Sequence, residues 1–467
     1  MNSIYIIMNK IAISKGVSPT IGVILIVALT VGLASMGSLI MFNSTDNPYE
    51  IPKGEVSTTD GNKLILVDKG DMERIYIKNK SGYKIKDIEK IGKIVEKPYE
   101  DYTVIGVTKT GKEYVMRIGE GQSGEYYSEP HSSEPDNLMN ILNNMSGTGV
   151  CNDTTDDPYR ITNDYELQAM SADVNSCYML GNNIDTSGTD GWYNSKGFRP
   201  INNFDGELYG NNNIISGLTI NRPTETNVGL IGDSQGYIDD IKLNSVDITG
   251  DENVGGFMGL NDNHAIIENS YASGTIEGTE NVGGLLGINK NHATIRKSYS
   301  DGLVIGDLNI GGLIGLNRQR GNVYTSYANG TVYGGDNVGG LLGENDNNAM
   351  INNSYASGTI SGDNNVAGLI GKNNNKGNVY NSYASGTISG NTNVGGLVGN
   401  INGDVINSYW DVESTGQGQR DSDEGTGLTT SEMTGDNAET NMVGFDFNDT
   451  WNTTDMYPIL IDNNIVE

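Results

Sequence analysis

The chain has 467 residues, of which 36% are hydrophobic and 64 are glycine, with a formal net charge of −30. So little apolar side chain excludes an ordinary thick-cored globule, for which ~45–50% is usual. The charge is uneven: residues 51–120 hold 14 Lys+Arg against 12 Asp+Glu, and 121–467 hold 13 against 45, a balance that repels nucleic acid and anionic lipid and suits solubility, high salt or cation binding.

The first predicted element is the apolar run Val17–Phe42, with no charge between Lys15 and Asp46. As a helix it is about 39 Å long at ~1.5 Å per residue, enough to span a ~30 Å hydrocarbon core with some tilt. It is also longer than the ~7–15-residue apolar core of a secretory signal. Lys10 and Lys15 precede the run and no cation follows before Lys53, so the expected orientation is N-terminus inside and the bulk of the chain outside. The stretch KGVSPTIGVILIVALTVGLA resembles the N-terminus of archaeal type IV pilin-like proteins. That resemblance implies cleavage by a prepilin peptidase between Gly16 and Val17, with Lys15 as the charged recognition residue. Residues 1–16 are then a leader, and 17–42 a retained helix that anchors in the membrane or packs with pilin subunits. An uncleaved single-pass anchor and plain secretion after GLASMGS are the alternatives.

Residues 43–120 alternate apolar and polar in short runs (KLILVD, RIYIKN, YTVIGV, EYVMRI), which predicts a small antiparallel β domain, with a helix over Ile85–Val95. Residues 121–154 read as a linker with one short helix in EPDNLMNILNNM. Cys151 and Cys177 are the only cysteines. In an exported chain they can pair as a disulfide; otherwise they are two separate buried thiols.

From residue 253 the chain is periodic: NVGGFMG, NVGGLLG, NIGGLIG, NVGGLLG, NVAGLIG and NVGGLVG recur every 28 residues. Tyr271, Tyr299, Tyr327, Tyr355 and Tyr383 keep the same step, and Tyr409 follows after 26. A fixed period of this size with β-branched columns predicts a β-solenoid of ~28-residue coils. Like residues from successive coils, about 4.8 Å apart, then form continuous ladders: Val254, Val282 and Ile310 in one, Phe257, Leu285 and Leu313 in another. The tyrosines are read as one such ladder. Repeated glycines such as Gly259 and Gly287 are expected where φ is positive or the backbone approaches closely.

The pattern NVGGLLGxN…SYASGTIxG resembles the GLUG repeat of bacterial and archaeal surface proteins over 253–410. The resemblance implies an all-β, right-handed parallel β-helix, with 155–252 as its lead-in module and 411–467 as its C-terminal cap. A helix near Asp164–Met170, N-capped by Asn163 or Thr162, is expected to open it.

No catalytic constellation emerges from these columns. β-helix glycosidase chemistry needs two carboxylates on neighbouring coils, but the column through Asp262 continues as Lys290, Arg318 and Asp346. His264 and His292 recur in step without a third ligand, and Asp336 and Asp363 lie in turns where Asp serves local hydrogen bonding. No cofactor is expected, and at most weak calcium binding. Sequons at Asn43, Asn79, Asn144, Asn152, Asn329, Asn352, Asn448 and Asn452 are compatible with export. The expected function is non-enzymatic. A pilin-like helix holds an acidic solenoid at the cell surface for adhesion to a glycan or protein ligand. The alternatives are a pilus or envelope subunit without an adhesive role and a polysaccharide-degrading β-helix.

Overall fold

A computed structural model describes the strands between Glu55 and Gly119 and, apart from 152–155 and 419–424, residues 130–461. The apolar helix at 17–42 and the processing residues Lys15, Gly16 and Val17 lie outside the described residues. Among the described residues no helix is long and apolar enough to cross a membrane. The chain divides into two units between Glu129 and Pro130.

The first unit holds two four-stranded sheets. One joins Lys84–Ile88, Met72–Asn79, Tyr102–Thr108 and Glu113–Val115 in antiparallel fashion. In the other, Glu55–Thr59 pairs antiparallel with Lys63–Asp68 but parallel with Arg117–Gly119. The helix expected over Ile85–Val95 does not form at the described residues of that span. Lys84–Ile88 and Ile94–Glu96 are strands instead: Ile85 and Ile88 are spaced as on a helix, but Lys84–Ile88 pairs with Met72–Asn79, Ile88 opposite Ile75.

The second unit is an all-β parallel solenoid. The earlier coils of the array lay down four short strands, as in Glu280–Gly283, Leu286–Asn289, Thr294–Arg296 and Tyr299–Ile305, and in later coils the last of these is split in two, as in Tyr327–Ala328 and Thr331–Tyr333. These stack on their equivalents into sheets of 6, 7, 10 and 14 strands. Pairing is in register at the sequence period, so Val282 sits over Val254 and under Ile310. Val254, Val282, Ile310, Val338 and Val366 are fully buried, as are Phe257, Leu285, Leu313, Leu341, Leu369 and Leu397. A thin core repeated along an axis is how so polar a chain buries enough apolar surface.

Backbone conformation divides two roles that the sequence reading assigned to glycine alone. The left-handed corner is occupied by asparagine: Asn253, Asn281, Asn309, Asn337, Asn365 and Asn393 all have φ between 51° and 58°. Asparagine tolerates this region better than other side-chain-bearing residues. Gly315, by contrast, has no positive φ. A Cβ there would stand 2.4 Å from the carbonyl carbon of Asn281, so it is required by close packing of successive coils.

Within the stretch read as linker, residues from Pro130 onward pack on the solenoid. The helix Leu138–Leu142 buries Leu142, and Met145 joins the same core. The helix Asp164–Ala169 closes the N-terminal end. The Asn163 side chain accepts from Glu166 N at 3.0 Å, and Glu166 returns the contact to Thr162 N at 2.6 Å. At the other end Trp410 occupies the place that Ala384 and Ala356 hold in earlier coils, and its fully buried ring plugs the core.

Candidate binding faces of the solenoid

Three polar ladders run along the solenoid inside or beside the core. In the first, each corner asparagine donates Nδ2 to Oδ1 of its equivalent one coil earlier: Asn281 to Asn253 at 3.0 Å, Asn309 to Asn281 at 2.9 Å, Asn337 to Asn309 at 2.7 Å. The second runs the opposite way. Fully buried Asn289, Asn317 and Asn345 each donate to the next coil, at 2.9, 3.0 and 2.9 Å. The same amides also reach carbonyls four residues on, Ala293, Gly321 and Ala349, and so hold the turn between them. In the third, Ser298 Oγ accepts from Ser270 N at 3.2 Å and donates to Arg296 O at 2.9 Å, a pattern repeated at Ser326, Ser354 and Ser382. A buried amide is costly only when unpaired, and here the neighbouring coil supplies the partner.

The tyrosines stand on the outer side of the fourteen-stranded sheet. Tyr299, Tyr327, Tyr355 and Tyr383 stack with centroids 4.7–5.0 Å apart and planes within 3°, and Tyr271 joins at 4.5 Å with a 32° tilt. The C-terminal segment folds back over the later members. Trp451 lies 5.7 Å from Tyr383 and 6.1 Å from Tyr355, and Phe445 lies 5.7 Å from Tyr409. Tyr383 donates its hydroxyl to Pro458 O at 2.8 Å and Tyr409 to Val443 O at 2.9 Å. Burial, with Tyr355 and Tyr457 nearby, pushes the Tyr383 hydroxyl far above its usual range. The C-terminal half of this ladder is therefore an internal docking strip for the cap. Asp411 anchors that cap by accepting from Thr430 Oγ1 at 2.6 Å, from the Tyr457 hydroxyl and from Glu413 N at 2.7 Å. Burial alone would raise the Asp411 carboxyl, but these donors hold it below the usual carboxylate range.

Cys151 and Cys177 are joined by a disulfide with Cα atoms 5.6 Å apart. Glu207 lies beside this pair. His264 and His292 stack at 5.0 Å in exposed left-handed turns. Asp262 is engaged by Lys290 at 3.2 Å and Asn291 at 2.7 Å. Farther along the same turn face, Asp346, Asn347, Asn348, Asn375, Lys376 and Asn402 line an open polar concavity of about 530 Å³. His131, in the segment leading into the solenoid, stacks on Tyr165 at 3.6 Å and bonds through Nδ1 to buried Asp164. Asp164 also accepts from His131 N at 2.8 Å. Burial raises the Asp164 carboxyl, with the His131 contacts offsetting part of that rise.

One grouping escaped the sequence reading. On the outer side of the ten-stranded sheet, Tyr209, Asp239, Glu268 and Arg296 follow one another on successive coils. Arg296 Nε donates to Glu268 Oε2 at 2.5 Å, and the Tyr237 hydroxyl donates to the other oxygen. The Arg296 contact holds Glu268 below its usual range against an opposing desolvation. Asp239 is raised, first by burial and then by Glu268 and Asp240 nearby, with the Asn269 amide opposing. The steps in this column are 30, 29 and 28 residues, so a search at the fixed repeat passes over it.

The geometry defines a repeat β-solenoid with a ladder-built interior, and its repeat sequence is matched among known proteins. The GLUG motif model matches residues 250–277, 334–361 and 362–389. The chain is 33% identical over 168 residues, 34% of its own length, to halomucin of Haloquadratum walsbyi (strain DSM 16790 / HBSQ001), and spans 2% of that protein. Among solved structures it resembles a candidate immunoglobulin A1 protease from Bacteroides ovatus with a TM-score of 0.44 and 19% identity, covering 70% of this chain and 98% of that one.

Proposed function

We propose that the chain is a surface-displayed, non-catalytic scaffold whose acidic solenoid adheres to a surface glycan, another cell or a partner subunit, held by the pilin-like helix at 17–42. The observation that carries the reading is the in-register array itself. Most of its buried polar side chains pair in coil-to-coil ladders, which leaves long, stiff outer faces as the variable part. The GLUG matches and the partial likeness to halomucin support placement at a surface. Mass spectrometry of the mature N-terminus tests the anchoring half. A start at Val17 supports prepilin processing, an intact Met1 or Met8 supports a plain anchor, and a start beyond Ala34 means secretion. Glycan-array and cell-binding assays with the full chain test adhesion, and absence of binding in both leaves a pilus or envelope subunit.

A second reading, a polysaccharide-degrading β-helix, rests on Asp239 and Glu268 standing in register on neighbouring coils, the kind of carboxylate placement that such chemistry uses. Depolymerisation assays with and without calcium decide it: no product from acidic or neutral polysaccharides removes this reading.

A further inference from the structure

The array serves as its own control for what an outer position needs. In register, Leu303 shares a column with Asp247, Thr275, Thr331, Thr359 and Thr387. Ile305 and Tyr333 share one with Thr249, Glu277, Ser361 and Ser389. Leu308 shares one with Glu252, Glu280, Asp336, Asn364 and Thr392. Every other member of these runs is hydrophilic. The four departures are neighbours, at the corner where the fourteen-stranded sheet turns into the six-stranded one. The fold does not require them, since adjacent coils make the same strands with Thr, Ser and Asp. Tyr333 is 47% exposed, and Leu303, Ile305 and Leu308 are half-buried.

We propose that this patch docks a polypeptide segment of a partner that carries an aliphatic or aromatic side chain flanked by lysine or arginine. The size argues for a single segment. Outward side chains are ~6.6 Å apart along a strand and coils ~4.8 Å apart, so the footprint is on the order of 150 Å², against the ~800 Å² per partner of a stable interface. A second copy docking face to face would need far more apolar surface. The charge argues for cations: Glu277, Glu280, Asp301, Asp307 and Asp336 ring the patch, and no lysine or arginine stands in the three columns. Apolar contact in the centre and Coulomb attraction at the rim then select the same ligand, and an anionic polymer is repelled. The assignment deepens the partner-subunit arm of the proposed function, and a failed glycan or cell assay leaves it untouched.

The test uses the full chain in detergent and three labelled peptides, Lys-Leu-Lys-Leu-Lys, Lys-Ser-Lys-Ser-Lys and Glu-Leu-Glu-Leu-Glu, read by fluorescence anisotropy. The variant L303T/I305S/L308N/Y333S takes each replacement from residue types used at those outer positions by other coils, which preserves the fold. Y333S alone, at the most exposed position, serves if the quadruple variant melts early. The first peptide is expected to bind the native chain, to weaken at least ~10-fold in the quadruple variant and to weaken with added salt, with the other two at least ~10-fold weaker. Equal binding of the first peptide to native and variant chains overturns the proposal. So does equal binding of either control peptide, or native self-association that the variant abolishes, which would make the occupant a second copy.

Discussion

The two ends of the solenoid are closed by different means. The N-terminal end is stapled from outside: the Cys151–Cys177 disulfide, the His131–Asp164 contact and the Trp192 Nε1 bond to His131 O at 2.8 Å tie the lead-in segment to the first coils. The C-terminal end is plugged from within by Trp410, and its cap is then laid over the tyrosine ladder. Between them the coils need neither device, because each finds its partners in the next. Ends lack a neighbour, so they carry the one-off residues.

The largest test of that contrast is Trp410→Ala. It empties the plug and should cost ~3–5 kcal/mol, lowering the denaturant midpoint of the array. Replacing both Cys151 and Cys177 by serine should cost the other end ~3 kcal/mol, from the loop closed between residues 26 apart. That loss should appear as earlier hydrogen exchange at 138–180 while the C-terminal coils stay protected. Equal loss at both ends would mean the solenoid melts as one unit.

Mid-array, Asn317→Leu removes the acceptor for Asn289 and the donor to Asn345, and about 2 kcal/mol should go with them. Asn373→Leu should cost less, because Asn373 makes the bond to Gly377 O but has a ladder partner on one side only, with Ile401 in the next place. Identical costs would refute the ladder account. Tyr383→Phe, losing the bond to Pro458 O, should cost ~1 kcal/mol and expose the cap to proteolysis first.

The smallest effect is on pH, where the ends have opposite signs. Asp411 titrates below its unfolded value, so its stabilisation is complete above the unfolded carboxylate range and is lost as pH falls through the folded value. Asp164 titrates above its unfolded value, so its contribution is complete below the unfolded range and is lost as pH rises through the folded value. Acid titration followed by hydrogen exchange should therefore loosen the C-terminal cap before the N-terminal staple. Asp411→Asn should flatten that dependence.

Much of the solenoid is legible in the chain because a strict 28-residue step turns each column into a repeated statement about the core. The Val254 and Phe257 columns and the Asn163 cap need nothing beyond that step and local chemistry. Features that break the step are not legible. The Asp239–Glu268 column lies where the coils are 29 and 30 residues long, and although Ile305 and Tyr333 keep the step, Leu308 joins Leu303 beside them only where the fourteen-stranded sheet turns into the six-stranded one. The helix expected over Ile85–Val95 failed for a related reason: alternation and helical spacing are hard to separate over so short a run, and pairing with Met72–Asn79 decided it.

By itself the sequence determined the period, the apolar columns and the acidic surface, since these are properties of residue type and spacing. Only the tertiary structure decided the partners. It paired the two cysteines, put asparagine rather than glycine at the left-handed corners, and turned half of the tyrosine ladder inward under the cap. The reason is that hydrogen bonds, ring stacks and disulfides depend on which coil lies beside which, and that adjacency exists only in the folded stack.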